Sequence, residues 1–292
     1  MATDAPYPMG RNLIRTGEAG PLKSGDTAAD TFRIRFRRRF LTVVTALVAT
    51  ALVAVAPASA ILNGQSDSTH RYVGLLFTEI DGDLVPVCSG SLIAPQVFLT
   101  AAHCTDFIDG GPALVSFDQQ FGPGSTLVSG TAVENPDFGT SFPNTHDIAV
   151  VLLDESVTNV GFAGLPEPGL LNKLVAPSGK SKLVLTIVGY GAEGFSKGGR
   201  PPQPIFTLRR TSGTSKLINL KSANAAGFNM QISNNPGHGR SGVCFGDSGG
   251  PVLVDDTIVA ISSFVNNAQC AGNAFAYRVD TEESLDFLAP YL

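Results

Sequence analysis

The chemistry in this sequence centres on Ser248, within Cys244-Phe245-Gly246-Asp247-Ser248-Gly249-Gly250-Pro251. A serine hydroxyl is a weak nucleophile at neutral pH unless a base takes its proton and donors receive the negative charge that forms. The glycines suit the second task. Lacking Cβ atoms, they permit unusual backbone angles and close substrate approach, so the N–H groups of Gly246 and Ser248 can converge on one oxygen. Taken alone, the stretch is equally a glycine-rich turn with an incidental serine. Partners elsewhere in the chain must decide.

A histidine is the natural base, and the chain has four. His70 stands beside Arg71 and reads as a solvated turn residue. His238, in Asn235-Pro236-Gly237-His238-Gly239, reads as a loop residue or part of a cleft wall. His146 directly precedes Asp147; neighbours on a strand point to opposite faces, so the two cannot serve one site in that geometry. His103 is the best base, because it follows the strand-like run 97–100 in Thr100-Ala101-Ala102-His103-Cys104. Asp147 heads Ile148-Ala149-Val150-Val151-Leu152-Leu153, a buried-strand pattern. A carboxylate there needs a partner, and a histidine N–H suits it, although such a residue alone is equally a strand cap.

One competing arrangement fails on chain order. Gly246-Asp247-Ser248-Gly249-Gly250 also satisfies the nucleophile-elbow pattern of α/β-hydrolases, which needs a helix after the serine, then the acid, then the histidine. Here Pro251 and Val252-Leu253-Val254 read as turn and strand, and no histidine follows Ser248.

The elements that must position these groups are short strands. Apolar and β-branched runs occur at 72–77, 84–87, 91–93, 97–100, 113–117, 126–133 and 148–153, separated by Gly, Asp and Pro. The proline-rich Leu165-Pro166-Glu167-Pro168-Gly169 reads as a crossing linker. A second set follows at 182–190, 204–210, 217–220, 229–233, 251–254, 258–264 and 275–279. Only the tail reads as helical, with Asp280 and Glu283 forming a capping box before Leu285, Leu288 and Ala289. Two strand sets around a linker predict an all-β chain of two antiparallel barrels, about 61–165 and 170–280, with a C-terminal helix at 281–290.

Residues 1–60 have a different composition. Arg33, Arg35, Arg37, Arg38 and Arg39 precede an uncharged, mostly apolar run, 41–56, and then Pro57-Ala58-Ser59-Ala60. Basic segment, short apolar segment and small-x-small site predict a secretory signal peptide behind an N-terminal extension, with a twin-arginine route possible. Sixteen apolar residues are short of the roughly 20 needed to span a bilayer. Residues 61–292 keep 12 of the 20 basic and 21 of the 25 acidic residues, a net charge of −9. So acidic a chain is a poor binder of nucleic acid or anionic membranes. Four cysteines in an exported chain predict disulfides; a zinc site finds no C-x-x-C or H-E-x-x-H.

Together the motifs resemble the chymotrypsin/trypsin-type serine proteases over residues 61–292. They are Leu99-Thr100-Ala101-Ala102-His103-Cys104, His146-Asp147-Ile148-Ala149-Val150 and Gly246-Asp247-Ser248-Gly249-Gly250-Pro251, in that family's order; Gly189-Tyr190-Gly191 resembles the opening of its autolysis-type loop. The resemblance implies two six-stranded barrels with the active site between them. It makes His103 the base and then acid, Asp147 its orienter, Ser248 the nucleophile, and the Gly246 and Ser248 N–H groups the oxyanion hole. It pairs Cys88 with Cys104 and Cys244 with Cys270, and the small disulfide set fits a bacterial-type member. Ile61-Leu62-Asn63-Gly64 resembles the family's activated N-terminus, whose ammonium would pair with Asp247. Cleavage after Ala60 by signal peptidase would then yield the active end directly; a propeptide trimmed later is the alternative.

The same resemblance places Gly242, Val243, Ser263, Phe264, Val265 and Ala274 around the substrate pocket. Gly242 stands six residues before Ser248, where trypsin-like members carry the aspartate that binds Lys or Arg. Val265 stands where glycine usually keeps the pocket open. The expectation is cleavage after small or medium apolar residues by a secreted, monomeric serine endopeptidase. Its partners would be protein or peptide substrates and proteinaceous inhibitors, with no cofactor, metal, nucleic acid or membrane. A non-catalytic binding module and a secreted esterase are the competing readings.

Overall fold

The computed structural model describes residues 61–292 apart from 107, 109–110, 140, 182, 199–200 and 236–239. The expected signal peptide and His238 lie outside the described residues. The first barrel comprises β2 (Val73–Ile80), β3 (Asp83–Ala94), β4 (Val97–Thr100), β5 (Ala113–Ser116), β6 (Val128–Glu134) and β7 (Ala149–Leu153), preceded by the short edge strand β1 (Gln65–Ser66). Its strands are antiparallel in the order β2-β3-β4-β7-β6-β5, and β5 closes on β2 with Leu75 opposite Ser116. A five-residue helix, α1 (Ala102–Asp106), follows β4, and α2 (Leu170–Leu174) precedes the second barrel.

The second barrel starts with β8 (Val184–Gly189) and a small hairpin, β9 (Gly194–Phe195) with β10 (Pro204–Ile205). It continues with β11 (Thr211–Asn219), β12 (Asn229–Asn234), β13 (Pro251–Val254), β14 (Thr257–Val265) and β15 (Gly272–Arg278). The order is β11-β12-β15-β14-β13-β8, closed by β8 on β11 from Gly189 opposite Thr211 to Val184 opposite Lys216. Closure satisfies both edges of each sheet, which open sheets leave unpaired. The helix α3 (Glu282–Leu288) and a 3₁₀ turn, Ala289–Tyr291, end the chain. Among the described residues no helix is long and apolar enough to cross a membrane.

Three local expectations change. The runs 84–87 and 91–93 are one strand, because the Cys88-Ser89-Gly90 gap between them continues the strand rather than turning it. Pro86 sits beside a register shift between Leu76 and Phe77, where a missing N–H is tolerated. Gly90 lies under Phe98, whose ring atoms would be 2.5 Å from an added Cβ. The run 204–210 is not a full strand: Leu208, at φ 54, turns the backbone out of extended geometry. The cap of α3 is Thr281, whose hydroxyl accepts from Ser284 N–H, and not Asp280. Asp280 is fully buried and instead takes two guanidinium bonds from Arg278 at 2.8 Å and the Leu171 N–H at 2.7 Å, tying α2 to β15.

Candidate active site

His103 lies in α1, on the turn that leaves β4. The helix is too short to hold itself, and the Cys88–Cys104 disulfide pins it to β3. Asp147 precedes β7, the strand that pairs with β4 from Ala149 opposite Thr100 to Leu152 opposite Val97. That register sets the two residues face to face. His103 Nδ1 lies 2.8 Å from Asp147 Oδ2 and 3.0 Å from Oδ1, and the His103 backbone N–H donates to Oδ1 at 3.0 Å. Ser263 Oγ, from β14 in the second barrel, donates to Oδ2 at 2.5 Å. The couple therefore sits where the barrels meet.

Asp147 is 3% exposed. Burial favours its neutral acid, but the His103 charge, the ring bond, the Ser263 hydroxyl and the His103 N–H outweigh burial and hold the carboxyl below its usual value. Burial alone would lower the His103 pKa; the Asp147 charge and hydrogen bond, with a further push from Asp106, raise it above 6.5.

Ser248 occupies a tight turn between Gly246, at φ 87, and Gly249, at φ 74. Gly249 must be glycine for a second reason: an added Cβ would meet Thr100 Oγ1 at 2.1 Å and Ser89 O at 2.4 Å. The turn is thus pressed against the first barrel beside α1. Ser89 fastens it there, donating its N–H to Ser248 O at 2.9 Å and its hydroxyl to Gly246 O at 2.8 Å. Among the described residues, neither the Gly246 nor the Ser248 N–H donates to a protein acceptor, while Asp247, Gly249 and Gly250 N–H groups all do. Ser248 Oγ makes no hydrogen bond to His103 here; catalytic contacts are often long in unliganded sites and tighten with substrate.

Asp247 is fully buried and accepts the Gly191 and Cys244 N–H groups, each at 2.9 Å. Burial pushes its pKa well up, only partly offset by those two bonds. Gly189 and Gly191 make its room, since an added Cβ would come within 2.3 Å and 2.5 Å of the carboxylate. The Ile61 backbone nitrogen, also fully buried, donates instead to Thr211 Oγ1 at 2.6 Å.

The expected pocket residues converge in part. Val265 faces Ala274 across the β14–β15 pair and packs with Val243 in one apolar cluster. Ser263, expected as a wall, directs its hydroxyl at Asp147. Phe264 stacks on Phe275, with ring centroids 4.7 Å apart, and meets Phe142 at 6.2 Å. Gly242 bridges to Leu62, and behind it stands Asn234, whose amide an added Cβ would approach to 2.6 Å. Fully buried Asn234 accepts Val243 N–H and donates to Val243 O and Cys270 O, so it braces the Cys244–Cys270 loop. Ser89 and Asn234 had no signal in the sequence: each is an ordinary polar residue in a strand whose partners are distant in the chain.

His70 departs from the solvated reading. Its Nδ1 lies 2.6 Å from Asp67 Oδ2, and its side chain is 13% exposed. The one cluster of potential metal ligands among the described residues is Cys88, His103 and Cys104, but its sulfurs form a disulfide and offer no thiolate.

Two closed six-stranded antiparallel barrels with a short C-terminal helix form the chymotrypsin fold. Residues 61–285 match the Trypsin family, and the chain belongs to that family of serine endopeptidases. It is similar to human kallikrein-4, 27% identical over 213 residues that cover 70% of this chain and 77% of kallikrein-4. Mouse ovochymase-2 is 30% identical over 186 residues, 57% of this chain but only 28% of that longer protein. Among solved structures, HL collagenase superposes with a TM-score of 0.60 at 22% identity, over 79% of this chain and 97% of that one. The curated relatives are animal proteins, and the bacterial-type expectation finds no support in them. The two disulfides fit an extracellular protein.

Proposed function

We propose that His103, Asp147 and Ser248 form the catalytic triad of a secreted serine endopeptidase. The observation that carries this reading is the His103–Asp147 couple, in which imidazole Nδ1 is held on a buried carboxylate, so that Nε2 would act as the base. Ser248 Oγ attacks the peptide carbonyl carbon as His103 Nε2 takes its proton. The carbonyl oxygen becomes an oxyanion, received by the Gly246 and Ser248 N–H groups. His103 then protonates the leaving amine, the C–N bond breaks, and an ester remains on Ser248. Water, deprotonated by His103, attacks that ester; the acid product leaves and the proton returns to Oγ. Asp147 stays ionised throughout and stabilises the imidazolium.

Val243, Val265 and Ala274 pack in one apolar cluster with Asn234 behind Gly242, and a P1 pocket walled by them would suit small or medium apolar side chains. Export would remove residues 1–60. The released Ile61 ammonium would exchange Thr211 Oγ1 for Asp247, a buried carboxylate whose partners among the described residues are the Gly191 and Cys244 N–H groups. An extra residue before Ile61 should therefore suppress catalysis. The test of function is hydrolysis of casein and of a small ester by the processed protein and its His103→Ala variant. Casein cleavage lost in the variant supports the reading. Ester cleavage without casein cleavage makes it an esterase, and neither activity in the processed protein makes it a binding module.

A further inference from the structure

The residue before the triad aspartate has an unusual backbone. His146 lies at φ 50, in the left-handed region, and the next N–H, of Ile148, donates back to the His146 carbonyl at 2.8 Å. A bulky residue is rarely found there, and such a conformation persists only where the surroundings impose it. On the C-terminal side, the constraint is β7, whose first residue, Ala149, pairs with both Thr100 and Glu134. On the N-terminal side, no strand is present. Gly139 N–H donates to Thr145 O and the Asn229 amide to Pro143 O along that stretch, and at His146 itself the hold is the imidazole.

That ring is attached through one atom. His146 Nε2 lies 2.6 Å from Glu283 Oε1, a carboxylate in the first turn of α3, and 2.9 Å from Asn144 Nδ2. Asn144 is fixed in turn by the Tyr277 hydroxyl at 3.1 Å and contacts Glu283 at 3.2 Å. The other ring nitrogen, Nδ1, is buried with no hydrogen-bond partner among the described residues. With its proton on Nε2 the ring donates to Glu283, and the Asn144 amide donates to the same carboxylate rather than to the ring, so Glu283 is the acceptor that fixes His146. The side chains of His146 and Asp147 point to different neighbours, the first to α3 and the second to His103.

We propose that Glu283 is a positioning residue for the triad: by gripping His146 in the left-handed conformation, the C-terminal helix keeps the Asp147 carboxylate on His103. Glu283 touches neither substrate nor the reacting atoms. The inference rests on the triad reading for its effect on turnover, but its geometric content concerns Asp147 and His103 alone.

The test compares wild type with Glu283→Ala, Glu283→Gln, His146→Gly and the double variant Glu283→Ala/His146→Gly. It measures kcat and KM on a peptide substrate, Tm, and the titration midpoint of His103 by NMR of the labelled imidazole. The charged groups that set that midpoint are Asp147 and Asp106. In Glu283→Ala, kcat falls by about 10- to 100-fold, the order of loss produced by a 1 Å misplacement, while KM moves little and the His103 midpoint drops. Glu283→Gln, which keeps an acceptor, loses less. Glycine adopts positive φ without being held, so the double variant regains kcat and His103 midpoint relative to Glu283→Ala. A Glu283→Ala protein with lower Tm but unchanged kcat and midpoint overturns the proposal, as does a double variant no better than Glu283→Ala. If wild type cleaves nothing, the triad reading falls, and the His103 titration still decides whether Glu283 positions Asp147.

Discussion

Ser89 Oγ donates to the Gly246 carbonyl at 2.8 Å, so a hydroxyl from the first barrel fastens the turn that carries Ser248, the proposed nucleophile, in the second. The same oxygen accepts the Tyr190 N–H at 2.9 Å.

Replacing Ser89 with alanine leaves a carbonyl and an N–H unpaired in a site that excludes water. Each such orphan costs about 1–3 kcal/mol, so Ser89→Ala lowers stability by that order in a denaturant titration. Because Gly246 shapes the oxyanion donors, kcat falls as well. Full activity in a destabilised variant would show that the bolt serves folding alone.

The acid limb of kcat/KM follows His103, which must be neutral to take the serine proton. Its raised pKa places that limb above 6.5. Asp147→Asn removes the charge that raises it, moves the limb down and lowers kcat by on the order of 10⁴-fold. Stability changes with a definite sign. The raised His103 pKa contributes fully below the unfolded value near 6.5, and that contribution is lost as pH rises through the folded pKa. The lowered Asp147 pKa contributes above its unfolded value of 3.8, and that contribution is lost as pH falls through the folded pKa. The pair thus stabilises most between these two unfolded values, and Asp147→Asn lowers that plateau and flattens the flanks below 3.8 and above 6.5.

Ser263→Ala removes the 2.5 Å bond to Asp147 Oδ2 and leaves the His103 bonds in place. Hydrogen bonds to charged groups are worth about 1.5–3 kcal/mol, which bounds the loss in kcat at roughly 10- to 100-fold, well short of Asp147→Asn. A loss equal to that of Asp147→Asn would mean that Ser263, rather than His103, fixes the carboxylate.

Two substitutions probe the pocket. Val265→Gly opens it, shifting preference from Ala or Val toward Phe by about 10- to 200-fold in a peptide library. Gly242→Asp does not create cleavage after Lys or Arg, because its Cβ would lie 2.6 Å from the Asn234 amide oxygen; the protein is destabilised instead. Tryptic cleavage by Gly242→Asp would refute the obstruction by Asn234.

The two barrels, and the three motifs of the proposed triad, were legible in the sequence because each leaves a local signal: β-branched runs, a glycine-flanked serine, and a carboxylate heading a strand. Signals failed where local chemistry has two meanings. Gly90 fell in a gap between two runs but lies mid-strand on the underside of Phe98. α1 and α2, at five residues each, are too short to show periodicity and are held by a disulfide and by Asp280. Asp280 read as a cap because its spacing to Glu283 is right; its actual partner, Arg278, lies two residues away. Ser89 and Asn234 gave no signal at all and Glu283 read only as a capping partner, since each acts across a distance that only folding closes.

The most direct test is intact-mass and peptide mapping of the processed protein after a fluorophosphonate serine probe. The account predicts a chain starting at Ile61, less four hydrogens for two disulfides, with one adduct on Ser248 that disappears in His103→Ala at the same probe concentration. An unlabelled Ser248 in the processed protein, or an adduct unaffected by loss of His103, would contradict it.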